Sequence, residues 1–362
     1  MPEAPIDLAV CIPTYRRPRL LRQLLCDLSG QVIAIDRLII VDGDPASHSV
    51  IEVLDAIECP ALELCYVPSN HANLPYQRFL GWRAAAGAKW LLYLDDDLRL
   101  ADRHSVEKLI RPLRAGRGRV VGTTAEFDTS GGQWKVGGDA AQRVTRPRAW
   151  TKLSGHFGSS RQVPAGGLTP AGHRRPANSR KPYARVACLR GGAMAFRMSA
   201  ITADCFCDSL FAMGERGWGL GEDTLLSRRI GCRGVLLTSF RGGFVHPEGD
   251  RTVAYKRTAF GRGFATAYSR RLLNDHYRAP EAARWSDRLA LARSYVAHAL
   301  LSSWNAFRRA DQQAWAFAAG YMLGAVRGLL QAPASRRLCP GIDWWSDAES
   351  ALAQTRISQF HP

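Results

Sequence analysis

The stretch Leu91-Leu92-Tyr93-Leu94-Asp95-Asp96-Asp97 constrains this chain more than any other, because a buried-strand pattern runs straight into three consecutive carboxylates. A strand alternates its side chains between faces, so a continued strand predicts that Asp95 and Asp97 point the same way. Three acids at a buried strand end repel one another and lose hydration, which is unfavourable unless a cation or hydrogen-bond donors offset it. Two hard oxygen donors on one face suit Mg²⁺ or Mn²⁺ shared with a diphosphate. The plainer reading is an acidic loop, or a cap for a helix starting near Asp102.

Residues 6–12, 38–41, 62–67, 91–94 and 120–125 read as strands. Between them, residues 17–28, 50–57, 74–86 and 105–113 read as helices; in the first, Leu20, Leu21, Leu24, Leu25 and Leu28 keep helical spacing and Gly30 stops it. Alternating strands and helices predict an α/β fold with a mainly parallel central sheet and helices on both faces. Ligands bind such sheets beyond the carboxyl ends of the strands, and Thr14, Asp42 and Asp95 to Asp97 all fall there. Their recurrence at successive strand ends favours a nucleotide pocket over scattered loop acids.

The 362 residues, 46% of them hydrophobic, can bury a large core. Lys and Arg number 49 against 32 Asp and Glu, a net charge of +17, which points to a polyanionic partner such as a nucleotide diphosphate, an anionic lipid surface or nucleic acid. The nine scattered cysteines form no C-x-x-C, as expected of reduced thiols in a cytoplasmic protein rather than disulfides or a zinc site. The N-terminus carries no basic-then-apolar signal, and the longest late uncharged run, residues 314–326, is short of the roughly 20 residues a spanning helix needs. Contact with the inner face of a membrane stays open.

From Arg143 to Arg190 the chain carries eleven Lys or Arg, no Asp or Glu, and much Gly, Pro and Ser. This is either a solvated insertion or a lid whose cations meet phosphates when a ligand arrives. Regularly spaced stacking aromatics are missing, so no nucleic-acid partner is expected. Order returns in residues 187–196, a strand-like run whose Gly191-Gly192 pair lets a ligand or another backbone approach closely. Gly221-Glu222-Asp223 opens a helix, residues 235–240 form a strand, and His246 follows; as an isolated histidine it would more often be structural. Residues 252–330 look helical, with an arginine-rich arm from Arg251 to Arg278 and later aromatics explained by packing or by a membrane-facing stripe; Trp344-Trp345 reads as a loop anchor or an interfacial one.

Taken in order, Ile12-Pro13-Thr14-Tyr15-Arg16-Arg17, Ile40-Val41-Asp42-Gly43-Asp44, Leu94-Asp95-Asp96-Asp97, Gly191-Gly192-Ala193-Met194-Ala195-Phe196-Arg197, Gly221-Glu222-Asp223 and His246 resemble a glycosyltransferase of family 2 with the GT-A-type nucleotide-sugar-binding fold. The resemblance runs from about Leu8 to His246 and lapses between about Gly132 and Ala187. It implies a GT-A-type domain over residues 1–250, with a basic insertion at about 140–187, and a helical C-terminal extension over 251–362. It assigns the donor site to Pro13, Thr14, Tyr15, Arg16, Asp42, Arg78, Asp95, Asp96, Gly191 and Gly192. Within it Thr14 and Tyr15 line the base pocket, Asp42 accepts a hydrogen bond from the base, and Arg78 reaches the base or a phosphate. Family members often have Asn after that Arg, where this chain has Phe79. The resemblance further implies a metal site of Asp95, Asp97 and His246 for Mn²⁺ or Mg²⁺, with Asp223 as catalytic base and Glu222 positioning the acceptor. The Gln-x-x-Arg-Trp motif of processive synthases is missing, so addition of one or a few sugars is expected.

The expected reaction is inverting transfer from a nucleoside-diphosphate sugar, UDP-linked by preference, to a sugar, lipid-linked or polyanionic acceptor in bacterial glycan, cell-surface polysaccharide or glycolipid synthesis. A pyrophosphorylase is a rival metal-dependent nucleotide-sugar enzyme, but it would open with Gly-x-Gly-x-Arg where this chain has Pro13-Thr14-Tyr15-Arg16-Arg17. A non-catalytic basic binder of nucleic acid or membrane is the rival from another class; steep salt dependence without nucleotide-sugar binding would mark it.

Overall fold

The computed structural model of the chain describes residues 7–56, 61–116, 118–126, 163–175, 177, 181–246, 258–277 and 285–359. Residues 143–162 of the basic stretch and Arg251, Lys256, Arg257 and Arg278 of the arm lie outside them.

The buried strand β1 (Leu8–Thr14) leads through Pro18, which sits at the first turn, into α1 (Pro18–Ser29), whose five expected leucines are all buried. β2 (Ile35–Asp42), α2 (Ser49–Asp55), β3 (Ala61–Pro68) and α3 (Leu74–Ala84) follow; the Asn73 side chain accepts from Tyr76 N and so caps α3. Next come β4 (Trp90–Leu94), β5 (Arg99–Leu100), α4 (Ser105–Ala115), β6 (Val120–Ala125), β7 (Tyr183–Val186) and β8 (Ala193–Arg197). Then α5 (Asp208–Glu215), α6 (Glu222–Gly231), β9 (Val235–Ser239) and β10 (Phe244–Val245) complete the site-bearing part.

Nine strands form one sheet in the order β11-β3-β2-β1-β4-β8-β6-β9-β7, where β11 (Arg356–Gln359) comes from the end of the chain. β3, β2, β1 and β4 are parallel, as are β6 and β9, while β8 runs antiparallel between β4 and β6. β7 and β11 are antiparallel edge strands. The strand-like run at 187–196 divides: β7 ends at Val186, a turn holds Gly191-Gly192, and β8 begins at Ala193. Apolar side chains alternate across the central strands into two cores. Cys11, Ile39, Leu91 and Tyr93 face one, and Val10, Ile12, Ile40, Leu92 and Leu94 face the other. Among the described residues eight cysteines are free.

The helical stretch after residue 257 is three described helices, α7 (Ala259–Asp275), α8 (Trp285–Arg309) and α9 (Gln312–Leu330). α7 and α9 meet almost backbone to backbone. A Cβ at Gly263 or Gly320 would overlap the carbonyl oxygens of Phe317 or Phe260, so only glycine fits either place. In the arginine-rich arm, Arg271 bonds Asp275 and Gly328 O, and Arg270 reaches His173 and the Tyr321 hydroxyl, so these two guanidiniums tie the bundle together. α10 (Ser335–Leu338) and α11 (Trp344–Ala353) return the chain to the sheet. Trp344 anchors α11: it is buried against His71, Tyr76 and Phe211, while Trp345 packs edge-on to Phe79.

His71 clamps this return, with Nδ1 3.2 Å from Glu215 and Nε2 3.3 Å from Asp347. The Glu215 hydrogen bond, helped by Asp347 and opposed by burial, raises the His71 pKa above the ordinary 6.5. A raised folded-state pKa contributes stability fully below about pH 6.5 and loses it as pH rises through the folded value. The thermal midpoint should therefore fall between about pH 6 and 8 more steeply in the wild type than in His71→Gln, as calorimetry in matched buffers would record.

Candidate active site at the carboxyl ends of the strands

Arg78 on α3 stands at the centre of the site, with 1% of its surface exposed. Nη2 donates to Asp95 Oδ1 at 2.8 Å and Nη1 to Glu222 Oε1 at 2.7 Å, while the Tyr93 hydroxyl donates to the Arg78 carbonyl. One guanidinium thus joins the end of β4 to the start of α6. Burial works against its charge, but Asp95 and Glu222 overcome that and raise its pKa further. The next residue, Phe79, packs into the core against Phe206, Phe211 and Trp345.

The three acids do not continue the strand, and this corrects the expected alternation. β4 ends at Leu94, Asp95 N donates to Gly192 O, and Leu98 N returns to Asp95 O at 3.2 Å, so the acids occupy a turn. Period-two alternation holds only while the extended backbone lasts. Asp95 turns to Arg78, while Asp96 and Asp97 share Arg17 Nη1 at 3.0 and 3.1 Å. Asp96 also accepts from the Thr14 hydroxyl at 2.8 Å, and burial pushes it up to about 6 against the pull of Arg17. Arg17, which the sequence left without a role, neutralises this turn from the residue preceding α1.

His246 reaches the turn through the small antiparallel ribbon of β5 and β10, whose register sets Val245 against Arg99. His246 Nε2 lies 3.4 Å from Asp97 Oδ1. That oxygen is buried and receives no hydrogen bond among the described residues. A buried carboxylate oxygen without a donor beside an imidazole fits a cation better than it fits a capping role. No three His, Cys, Asp or Glu side chains among the described residues could hold an ion unaided, so a cation here needs further oxygens, as from a donor diphosphate.

At the other end of the site, α6 opens after Gly221, whose φ of +79° suits glycine, and presents Glu222 and Asp223 in its first turn. Asp223 Oδ2 accepts from Gly191 N at 2.7 Å and Arg174 Nη1 at 3.1 Å, and Oδ1 accepts from Thr224 N at 2.7 Å. A Cβ on Gly191 would come within 3.3 Å of that carboxylate, so the glycine pair admits a side chain of its own fold. Burial would raise Asp223, but Arg174 and the Gly191 amide outweigh it and hold its pKa below the ordinary value. Neighbouring Glu222 goes the other way, raised by burial and by Asp223 and Asp95 despite Arg78. Arg174 belongs to the basic stretch, which reads in sequence as a solvated insertion or a phosphate-meeting lid; here it meets a carboxylate.

The remaining donor-site candidates gather at the ends of β1 and β2, where Thr14 lies in register with Asp42. Gln77 Nε2 donates to the carbonyls of Thr14 and Val41, 2.9 Å each, and fixes the two strand ends together. Asp42 is fully buried, accepting from the Tyr66 hydroxyl and Asp44 N at 2.9 Å each. Pro13 is buried, Tyr15 half-buried, and the exposed Arg16 places its guanidinium 5.1 Å from the Tyr15 ring while its Nε bonds Asp44. Gly192, beside Gly191, supplies the carbonyl that receives Asp95 N. Gln77, Tyr66, Arg17 and Arg174 escaped sequence reasoning, since each acts through a partner distant in the chain.

Removing Arg78 leaves two part-buried carboxylates, Asp95 and Glu222, without their shared counter-charge. Arg78→Ala should lower the unfolding free energy by about 3–5 kcal/mol, measured by urea denaturation, and Arg78→Lys should restore only part because an ammonium lacks the two-pronged geometry.

The model of the family described as Glycosyl transferase family 2 matches residues 9–190, half of the 362-residue chain. No curated protein sequence matches. Among solved structures, Staphylococcus aureus TarS 1-349 in complex with UDP-GlcNAc is similar at a TM-score of 0.53 and 12% identity, covering 92% of this chain and 83% of that one. The mannosyltransferase PcManGT from Pyrobaculum calidifontis, in complex with GDP-Man and Mn²⁺, is similar at 0.47 and 14%, with coverage of 91% and 88%. GalNAc-T7 with UDP, GalNAc and Mn²⁺ is similar at 0.45 and 13%, with coverage of 74% and 48%. The family match runs from β1 through the acid turn of β4 to Arg190, ahead of the Gly191 turn, on a GT-A-type sheet, and the chain accordingly belongs to glycosyl transferase family 2.

Proposed function

We propose that the chain transfers one or a few sugars from a nucleoside-diphosphate sugar, UDP-linked by preference, to an acceptor hydroxyl with inversion at the anomeric carbon. The observation that carries this reading is the bridge through Arg78, which holds the Asp95 turn and the Glu222-Asp223 turn as two ends of one site. The family supplies the donor class, and the gathered ends of β1, β2 and β4 supply a place for it.

In this reading the base stands near Thr14, Tyr15, Arg16 and the loop shaped by Asp42, and the diphosphate lies by the acid turn and Arg17. Asp97 and Asp95 with His246 would hold Mn²⁺ or Mg²⁺, which supplies positive charge opposite the leaving diphosphate. An acceptor hydroxyl has a pKa far above 7, so a carboxylate must take its proton as the new carbon–oxygen bond forms. Asp223 is assigned that proton, and the departing nucleoside diphosphate carries away the bonding pair. Glu222, held by Arg78, positions the acceptor. Residues 1–250 form the catalytic unit and 251–362 its mainly helical extension, which returns β11 to the sheet edge, and the reading places the enzyme in the cytoplasm, at or near the inner face of a membrane, in bacterial glycan or glycolipid synthesis.

A donor screen scoring nucleotide-sugar hydrolysis with and without Mn²⁺ or Mg²⁺ tests the class: no donor turned over under any condition would refute it. Two substitutions separate the proposed roles. Asp223→Asn should cut turnover by about 10³-fold while donor affinity stays within about threefold, whereas Asp97→Ala should weaken donor binding in Mn²⁺ at least about tenfold by calorimetric titration. Unchanged turnover in Asp223→Asn would sink the base assignment.

Arg174 holds the Asp223 pKa down, so its removal raises it. A base works deprotonated, and the acid limb of the pH–kcat profile should therefore move to higher pH in Arg174→Gln, with a larger loss near pH 6 than near pH 8.

A further inference from the structure

Helices α8 and α9 leave an apolar face without cover among the described residues. On α8, Trp285 (78% exposed), Leu289, Val296, Leu300 and Phe307 (69%) are exposed, at intervals of four, seven, four and seven. At 100° per residue these positions fall within an arc of roughly 60°. On α9, Trp315, Met322, Val326 and Leu330 (79%) repeat the pattern at intervals of seven, four and four. The opposite sides of the same helices are committed to the bundle, through Leu291 and Tyr295 on α8 and Tyr321 and Ala325 on α9. The face is thus surplus to the packing of the described residues. Scattered exposed leucines need no explanation, but a regular stripe on each of two helices that pack together does.

The charge around the stripes is predominantly positive. From Arg288 to Ile342 there are seven arginines and a single acid, Asp311. Arg288, Arg293 and Arg308 are exposed on α8 itself, next in sequence to or three residues from stripe members. No described helix is long and apolar enough to cross a membrane. Helices with an apolar stripe, indole and phenyl rings and arginine flanks, yet too short on apolar length to span, lie in the plane of a lipid interface.

We propose that the α8–α9 face docks on an anionic lipid surface, its stripes entering the headgroup boundary and its arginines meeting lipid phosphates. A second copy of the chain is the less suitable occupant, since apposing two such faces would bring together arginines of like charge. A nucleic-acid backbone offers nothing to the apolar stripes. The bundle touches the site: Leu273 of α7 lies against Gly221, the residue before Glu222, and Asn274 bonds Pro170 O and Asp287 O. Docking there would bring the acceptor end of the site to a surface where lipid-linked acceptors reside. That last clause rests on the proposed function; the docking itself does not.

The test is co-sedimentation of the whole protein with vesicles of one part phosphatidylglycerol to two parts phosphatidylcholine, against phosphatidylcholine alone. The expected result is binding to the anionic vesicles only, weakened by high salt, with a blue shift of tryptophan emission. Leu300→Glu combined with Val326→Glu should reduce partitioning at least about tenfold while the thermal midpoint and donor hydrolysis in solution stay as in the wild type. Failure of the wild type to bind anionic vesicles at low salt overturns the proposal. So does undiminished binding of the double variant, or light scattering that shows a dimer which the double variant dissociates. Because hydrolysis is read without vesicles, loss of the donor chemistry and loss of docking register separately.

Discussion

The site depends on one buried guanidinium. Arg78 is almost wholly removed from water and meets carboxylates from two distant parts of the chain, Asp95 after β4 and Glu222 at the head of α6. Burying a charge is tolerable only when it is paired and hydrogen-bonded, and here both prongs of the fork are used. Everything else in the site is arranged around the consequence. The acid turn is held at one distance from the Glu222-Asp223 turn, with the Gly191-Gly192 turn bonded to both, to Asp95 N through Gly192 O and to Asp223 through Gly191 N.

Around that bridge the carboxylates are differentiated by their surroundings. Asp96 is satisfied by Thr14 and Arg17, Asp97 keeps an oxygen without a donor next to His246, and Asp223 is saturated by two amides and Arg174. Burial raises the first two and Glu222, while Asp223 alone is carried below the ordinary range. Groups of one chemical kind pushed in opposite directions can take different roles, which is what a donor end and a proton-accepting end require. Arg174 brings the basic stretch into this arrangement through its bond to Asp223.

Much of the fold was legible because it follows from local periodicity. The five leucines of α1 and the apolar strands β1, β2 and β4 each carry their own signal within about a dozen residues. The misread places are those where a local rule ended sooner than the pattern suggested. Leu94 closes the strand, so Asp95 and Asp97 do not inherit its alternation, and the Gly191-Gly192 turn interrupts what looked like one strand. Trp344-Trp345 could have been a loop anchor or an interfacial one, and only the contact of Trp344 with Tyr76 shows that it holds the C-terminal return against the sheet. The arm arginines Arg270 and Arg271 resemble an open cationic patch in sequence but are tied to the helical bundle.

The sequence by itself determined the order of strands and helices, the family, and which residue types stand at the strand ends. Those rest on side-chain periodicity and on motifs read within short windows. Only the tertiary structure decided which charge meets which: Arg78 with Asp95 and Glu222, Arg17 with Asp96 and Asp97, Arg174 with Asp223. The physical reason is that electrostatic partners are selected by distance and burial in space. Here the partners lie from 17 to 144 residues apart along the chain, beyond the reach of any local pattern.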